Sequence, residues 1–584
     1  IFAGGALSGA ASFNGIPFYS DVANKSMYTH DVSATDSTAI GNTAYGFNAL
    51  DAITTGDYNH AFGNGTGGKL TTGERNVLIG YATGDALVEG SNNVAIGHGA
   101  LSTEDANGST TAIGYKALNL QNANAESYNV AVGYEAGVNV STGIENTLIG
   151  ALAGDAITIG NYNTALGLRS LSENINGDFN TAIGYKALED YDDGDGNGHN
   201  TAVGSKSQFN ATTGEFNTSL GSLSMGVGVT TGDYNVALGY KAGEYITSGT
   251  QNTIIGSFAG DALTTGSSNI AIGYGAMSTA NGTESRNVAI GQFALFSMDA
   301  DGNNYNTAVG YSAGNGMTTG SQNTIVGGLA GGALTEGNNN VALGYLALSA
   351  ETLGDRNIAI GVNALNAQNN TSDVDSYNVA IGYEAGKAIL TGVKNTLIGG
   401  LAGDALTVGD NNVALGFKSL STADDGDGNV SIGAFALEDF NGADGEGFNT
   451  AVGAFSQTQA DTGQFNTSIG AYSMGTGITT GDNNTALGYY AGEDLVAGVQ
   501  NTFVGSGAGK SMTGGDNNVA IGFEALATED GNGRNIAIGV SALKLQNAGA
   551  EAYNVAIGFT AGESITTAIK NTLIGGNAGD AITT

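Results

Sequence analysis

The chain has 584 residues, among them 98 Gly, one Pro, no Cys and no Trp, and 54 acidic against 17 basic residues give a formal net charge of −37. Glycine this abundant without a Gly-X-Y period excludes collagen, and 41% hydrophobic residues recurring at fixed spacing set the chain apart from a disordered one. The acidic balance argues against a nucleic-acid partner, which needs clustered Lys and Arg, and the lack of Cys excludes disulfides and thiolate metal sites.

The charge also predicts repulsion from anionic membranes and suits a soluble surface in a salty or calcium-containing medium. No apolar run of ~18 residues exists, so direct membrane insertion as a helix is not expected.

Residues 1–37 lack the repeat that fills the rest of the chain. They begin Ile1-Phe2-Ala3-Gly4-Gly5, without an initiator Met or a basic signal-peptide start, which fits a trimmed or unrecorded N-terminus. They hold the only proline, Pro17, in GIPFYSD. The end of a stacked repeat must cover its edge, so this segment is expected to be a cap or a junction to an upstream domain.

Residues 38–584 carry the repeat. A five-residue core, Asn-(Thr/Val)-Ala-(Ile/Val/Leu)-Gly, begins at Asn42, Asn59, Asn76, Asn93, Thr110 and Asn129 and recurs to Asn571. There are 31 copies; 21 of the 30 spacings are 17 residues and the others 18 to 21. Counting from the Asn as position 1, position 5 is always Gly and position 4 always apolar.

Seventeen residues suit one coil with two short strands and two turns, and are too few for a helical hairpin. Gly at position 5 and near position 15 breaks helices in every coil, while the β-branched core favours strand. The spacing predicts an all-β fold: a parallel β-solenoid of about 31 coils, ~4.8 Å per coil, hence a rod roughly 150 Å long. Stacked Asn residues are expected to form an amide ladder, and Gly at position 5 to supply a bend with φ > 0. Extra residues fall between cores and are expected to bulge out as loops.

A longer period of 249 residues, or 14 coils, relates YNVAVGYEAG at 128–137 to YNVAIGYEAG at 377–386. Within it a two-coil unit recurs. Its second coil has a bulky position 3 (Leu78, Leu148, Ile254, Ile325, Leu397, Phe503, Leu573), and its first coil has Gly at position 9 (Gly67, Gly137, Gly243, Gly314, Gly386, Gly492, Gly562). Packing compensation between coils and plain duplication of a two-coil block both account for this.

Positions 2 and 4 share one strand face, and positions 3 and 5 the other. Both faces are apolar or small. One serves a core, and the other would be a long apolar stripe, the mark of an interface that a symmetric homo-oligomer would bury. The sequence leaves open which face does which.

Acidic, glycine-rich insertions are weak calcium candidates: Asp192, Asp193 and Asp195 in DDGDGNG, Asp299 and Asp301 in DADGN, and Asp424, Asp425 and Asp427 in DDGDGN. Asp-x-Asp-Gly spacing can wrap oxygen ligands around a cation, but none has a full loop with its closing Glu, and solvated loops that keep chains apart are the plainer reading. Calcium is therefore not a required cofactor. Fourteen coils place Tyr or Phe at position 6, among them Tyr115, Tyr134, Tyr185, Tyr240, Tyr383 and Phe523. Such rings can stack on sugars, or close the corner of the coil. His30, His60, His98 and His199 show no metal-ligand spacing, and no phosphate loop or unique catalytic cluster stands out, so no enzymatic activity is expected.

The cores, as in NVAIG at 93–97, 378–382 and 518–522 and NTAIGYKAL at 180–188, resemble the head repeats of YadA-type trimeric autotransporter adhesins and similar repeats of phage tail fibres. The resemblance covers about residues 38–584. It implies a left-handed parallel β-roll, a homotrimer, and attachment to a host receptor or cell-surface glycan from a cell surface or virion. The coil here is longer than the YadA head repeat, and no heptad stalk, membrane barrel or tip domain is visible. The last residues, Ala581-Ile582-Thr583-Thr584, stop inside a coil, so the parent protein is expected to be longer. The expected function is the structural rod of an extracellular adhesive fibre, holding a receptor-binding tip away from its anchor. Ice binding and polysaccharide binding or depolymerisation are the alternatives for such a solenoid.

Overall fold

The computed structural model describes residues 11–13, 16–21, 24–29, 38–192, 194, 197–280, 282–442 and 447–584. No helix occurs among them. The chain divides into two compact units, Ile1–Asn287 with Asp301–Asn303, and Val288–Ala300 with Asn304–Thr584.

Three strands precede the repeat in the first unit. β1 (Ala11–Phe13) pairs antiparallel with β2 (Ile16–Asp21), and β2 with β3 (Ser26–Tyr28). β3 then pairs parallel with β4 (Thr43–Tyr45), Met27 opposite Thr43. The non-repetitive segment thus supplies the strand that covers the edge of the first coil, and Tyr28 is buried there.

From β4 on, each strand is positions 2–4 of one core. The first unit holds β4 to β17 (Ile270–Ile272), and the second β18 (Val288–Ile290) to β34 (Thr572–Ile574). Within each unit the fold is a parallel β-solenoid with a 17-residue period. Equivalent positions face one another, as in Thr147↔Thr164↔Thr181. Insertions do not disturb this register: Thr181 pairs with Thr201 and Ile358 with Val379, across coils of 20 and 21 residues.

Each coil has one three-residue strand, not the two expected. The reason lies in three columns of left-handed backbone, at position 7, at position 9 and at the residue preceding each Asn. Asn48, Leu50 and Tyr58 have φ of 54°, 53° and 60°, and the pattern repeats along the chain. These residues bend the backbone before a second extended run can form. Main-chain bonds to the next coil continue nevertheless, as from Thr54 N–H to Thr71 O (3.0 Å).

Burial settles the two faces. Asn at position 1 and the residue at position 3 are buried, together with Ala at position 8, the residue at position 9 and an aliphatic residue at position 12 such as Ile53 or Leu70. Positions 2 and 4 point outward and are half-buried or exposed. Gly at position 5 has φ of 128° to 152° throughout. Its backbone also lies against the next coil.

The Asn column forms the expected side-chain ladder over runs such as Asn217 to Asn287 and Asn466 to Asn535, and adds bonds to the main chain. Asn59 Nδ2 donates to Gly73 O at the far end of its own coil (2.9 Å), and its Oδ1 accepts the main-chain N–H of Asn76 (3.1 Å). Side chains also meet directly in places, as from Asn76 Nδ2 to Asn59 Oδ1 (2.9 Å). Where both main-chain bonds form, as at Asn59, the amide closes one coil and fixes the next.

Contacts decide in favour of packing compensation in the two-coil units. A methyl group at Gly137 would sit 2.7 Å from Cδ1 of Leu148, and one at Gly154, in the same coil as Leu148, would sit 2.8 Å from its Cδ2. Equivalent clashes or tight contacts occur at Gly67, Gly243, Gly314, Gly386, Gly492 and Gly562. Elsewhere the volume comes from position 9, where Leu101, Leu118 and Leu171 are buried beside Ala at position 3. Leu148→Ala alone is expected to destabilise by about 2–5 kcal/mol through the cavity it leaves. Combined with Gly137→Leu, which moves the side chain to the other column, at least half of that loss should return. Denaturant unfolding of the four members of the cycle measures this, and strictly additive losses would contradict it.

Candidate functional site

The outward side of the strand recurs in every coil of both units. It carries Thr, Val or Ile at position 2 and Ile, Val or Leu at position 4 in nearly every coil, with Leu166, Leu343 and Leu415 exposed. Aromatic columns border it on both sides. One consists of residues preceding the Asn, held outward by their left-handed backbone: Tyr162, Phe179, His199, Phe216 and Tyr234 stack at 4.7–5.0 Å between ring centres, with planes within 3–7°. The other is position 6, at the corner that follows the glycine, where Tyr81, His98, Tyr115 and Tyr134 stack at 5.0–5.4 Å. Offset stacking of this kind adds roughly 0.5–1.5 kcal/mol per pair beyond burial. His98 and His199 belong to these columns, His60 lies exposed in a strand, and His30 lies outside the described residues.

The acidic insertions do not converge. Asp193 and Asp195 lie outside the described residues. Asp192 N–H donates to Thr212 O (3.1 Å) and Asp299 N–H to Thr318 O (2.9 Å). Asp301 Oδ1 accepts from Thr283 Oγ1 (2.6 Å), and Asp427 Oδ1 from Asp410 N–H (2.7 Å). Asp424 and Asp425 share Thr407 Oγ1, at 2.5 and 3.0 Å. The carboxylates of Asp301, Asp424, Asp425 and Asp427 thus bond to the preceding coil, while Asp192 and Asp299 bond through their main chain. Among the described residues no three acidic or histidine side chains form a group that could hold a metal ion.

Buried carboxylates went unnoticed in the sequence. Glu104, Glu351 and Glu529 replace the aliphatic residue at position 12 and are fully buried. Glu351 Oε1 accepts the N–H groups of Thr352, Leu353, Gly354 and Asn370 at 2.8–3.2 Å, and Oε2 accepts Gln368 Nε2 (2.8 Å) and Asn370 Nδ2 (2.9 Å). Gln368 Oε1 in turn accepts Asn378 Nδ2 (3.1 Å). Each of these Glu residues precedes a coil with Gln at position 12 (Gln121, Gln368, Gln546) that carries an insertion. The recurring Glu-then-Gln pair was the available signal. Burial pushes the Glu104 and Glu529 carboxyls above the usual range.

A second set, Asp85, Asp155, Asp261 and Asp404, stands at position 10 of the coils with a bulky position 3. In each, Oδ1 is buried without a hydrogen-bond partner, and burial raises the pKa. Asp155 is pushed from 3.8 up to about 6, by burial first, opposed by a backbone hydrogen bond. A carboxyl raised on folding costs stability once ionised, so stability should fall as pH rises from about 4 through about 6. Asp155→Asn is expected to raise the thermal midpoint at pH 7, and the gain should vanish near pH 4. Thermal melts at both pH values check this; an equal gain at both would contradict it.

Compared with known proteins, the chain matches no family model and no curated protein sequence.

Proposed function

We propose that the chain is the structural shaft of an extracellular adhesive fibre, on a bacterial surface or a virion, built from copies associated side by side. The observation that carries this reading is the outward strand face: position 4 presents Ile, Val or Leu in nearly every coil, with Thr, Val or Ile beside it at position 2. An apolar stripe of that extent calls for a partner surface, and identical chains related by rotation supply one of matching period. Three chains, with left-handed coils, are the arrangement that the resemblance to trimeric adhesin heads and tail fibres implies. Repetition provides length and stiffness, and the net charge of −37 keeps assembled fibres apart.

Sedimentation equilibrium tests the reading. The expected mass is three times the chain mass of 58.1 kDa. Replacing Ile381 and Ile398, neighbours at position 4, by Lys should shift that mass toward one chain. A parent chain that sediments as a monomer would overturn the proposal.

A further inference from the structure

The position-6 corner has two different patterns. In the first unit Tyr81, His98, Tyr115 and Tyr134 follow one another without a gap, and their faces cover one another. In the second unit the rings occupy every second coil. Tyr311, Tyr345, Tyr383 and Phe417 form one run, and Tyr489, Phe523 and Phe559 another. The coils between them carry Gly328, Val362, Gly400, Ser506 and Val540 at the same position. The result is a comb: rings 48–61% exposed, separated by one-coil gaps. With strands about 4.8 Å apart, two coils set a stride of about 10 Å between teeth.

Two surface depressions lie at or beside these gaps. One of about 430 Å³ is lined by Tyr489, Ser506, Lys510, Phe523, Glu524 and Lys544, the gap between two teeth. A second of about 330 Å³ is lined by Ser312, Leu329 and Leu346, which follow Tyr311, Gly328 and Tyr345 in the chain, and not by the rings themselves. Both fall within the size of small-ligand sites. The equivalent gap between Tyr240 and Tyr274 in the first unit is filled by Phe258, edge-on to both rings at 5.4 and 5.9 Å.

We propose that the comb of the second unit binds an extended, uncharged β-1,4-linked glycan along its length. In such a chain successive sugars are flipped, so the same apolar C–H face recurs at every second sugar, a stride of one disaccharide. That stride matches the spacing of the teeth: one sugar rests on an aromatic ring and the next lies over the gap. Aromatic rings favour such apolar faces. Lys510 and Lys544 are paired with Glu493 and Glu524, so the rim offers hydrogen bonds without net positive charge. The acidic chain selects against anionic polysaccharides. A coiled α-1,4-linked glucan cannot keep step with a straight row. The comb lies at the corner beyond the glycine, outside the strand columns proposed to join chains, so binding does not rest on oligomer formation.

Co-sedimentation of the full chain with insoluble cellulose and with chitin tests this, with amylose as control. The parent is expected to bind at least one of the two β-1,4 glycans, and amylose at least tenfold more weakly. Replacing Tyr345, Tyr383, Phe417, Tyr489 and Phe523 by Ala should weaken binding at least tenfold. Gly328→Tyr, Gly400→Tyr and Ser506→Tyr together keep every ring and fill the gaps. Neither glycine has positive φ, and a Cβ at Gly328 or Gly400 meets the next ring only at 3.5–3.6 Å, so the backbone accepts a side chain at both. This filled comb should lose binding to the same degree. Retention on neither glycan, equal retention on amylose, or a filled comb that binds like the parent would each overturn the proposal. Sedimentation mass, unchanged in both variants, separates this result from failure of the oligomer.

Discussion

Gly150→Ala is expected to destabilise its part of the solenoid by about 3–5 kcal/mol. Gly150 stands at position 5 with φ of 136°, in a region that side chains of L-residues rarely adopt, which costs about 1–3 kcal/mol. The added Cβ would also lie 2.4 Å from Gly167 O and 2.6 Å from its carbonyl carbon. That neighbour is main chain, fixed by pairing on both sides, and cannot turn away as a side chain would. Overpacking of this kind adds about 1–3 kcal/mol. Because each coil touches only its neighbours, the loss should be local. Hydrogen exchange should speed up at Thr147–Ile149 and Thr164–Leu166, while Thr43–Tyr45 in the same unit keeps its protection. Protection at both places equal to the parent's would contradict this account of the glycine column.

Asn395→Ala is the second large effect, expected at about 2–5 kcal/mol. The Asn395 side chain donates to Gly409 O (2.8 Å), and its Oδ1 accepts Asn412 N–H (2.9 Å). Alanine fits the space and leaves these partners buried without their bonds. An orphaned buried polar group costs about 1–3 kcal/mol, and two are created. Asn395→Asp should also destabilise, because it keeps the acceptor but removes the donor to Gly409. Chemical denaturation followed by limited proteolysis around residues 395–412 reads both changes. A loss below ~0.5 kcal/mol for the alanine variant would show that solvent or a shifted backbone satisfies the freed groups.

The period, the core strand and the place of the insertions were legible because one residue type recurs at one position for a backbone reason. Gly at position 5 is that residue, and its φ bears out the bend expected of it. The two strand faces were not legible. Hydropathy alone favours Ile at position 4 for the interior, yet Ile149 faces outward while Asn146 and Leu148 are buried. The narrow coil already holds the side chains of positions 8, 9 and 12, so position 3 admits Ala or Ser, or a bulky Leu, Ile or Phe only where glycine yields space.

The left-handed columns were missed as well, although their trace is in the sequence. Neither Ile nor Val occurs at position 9 or before any Asn, and Thr560 is the one β-branched residue at position 7. Such side chains tolerate positive φ least. The aromatic corner was noticed as a set of rings. Its alternation in the second unit was not, because the spacing that matters spans two coils. The buried glutamates escaped because Glu in a sequence reads as solvent-exposed.

The central claim is that each coil pairs in register with the coil 17 residues away. The chain has no cysteine, so introduced pairs can be read without background. Thr147 and Thr164 are in-register partners on an outward face, within the Cα separation that a disulfide accepts, about 4.4–6.8 Å. Thr147 and Thr181 are two coils apart, beyond that reach. Under mild oxidation at high dilution, Thr147→Cys with Thr164→Cys should form an intramolecular disulfide quantitatively, and Thr147→Cys with Thr181→Cys should form none. Cross-linking of the second pair and not the first would contradict the solenoid.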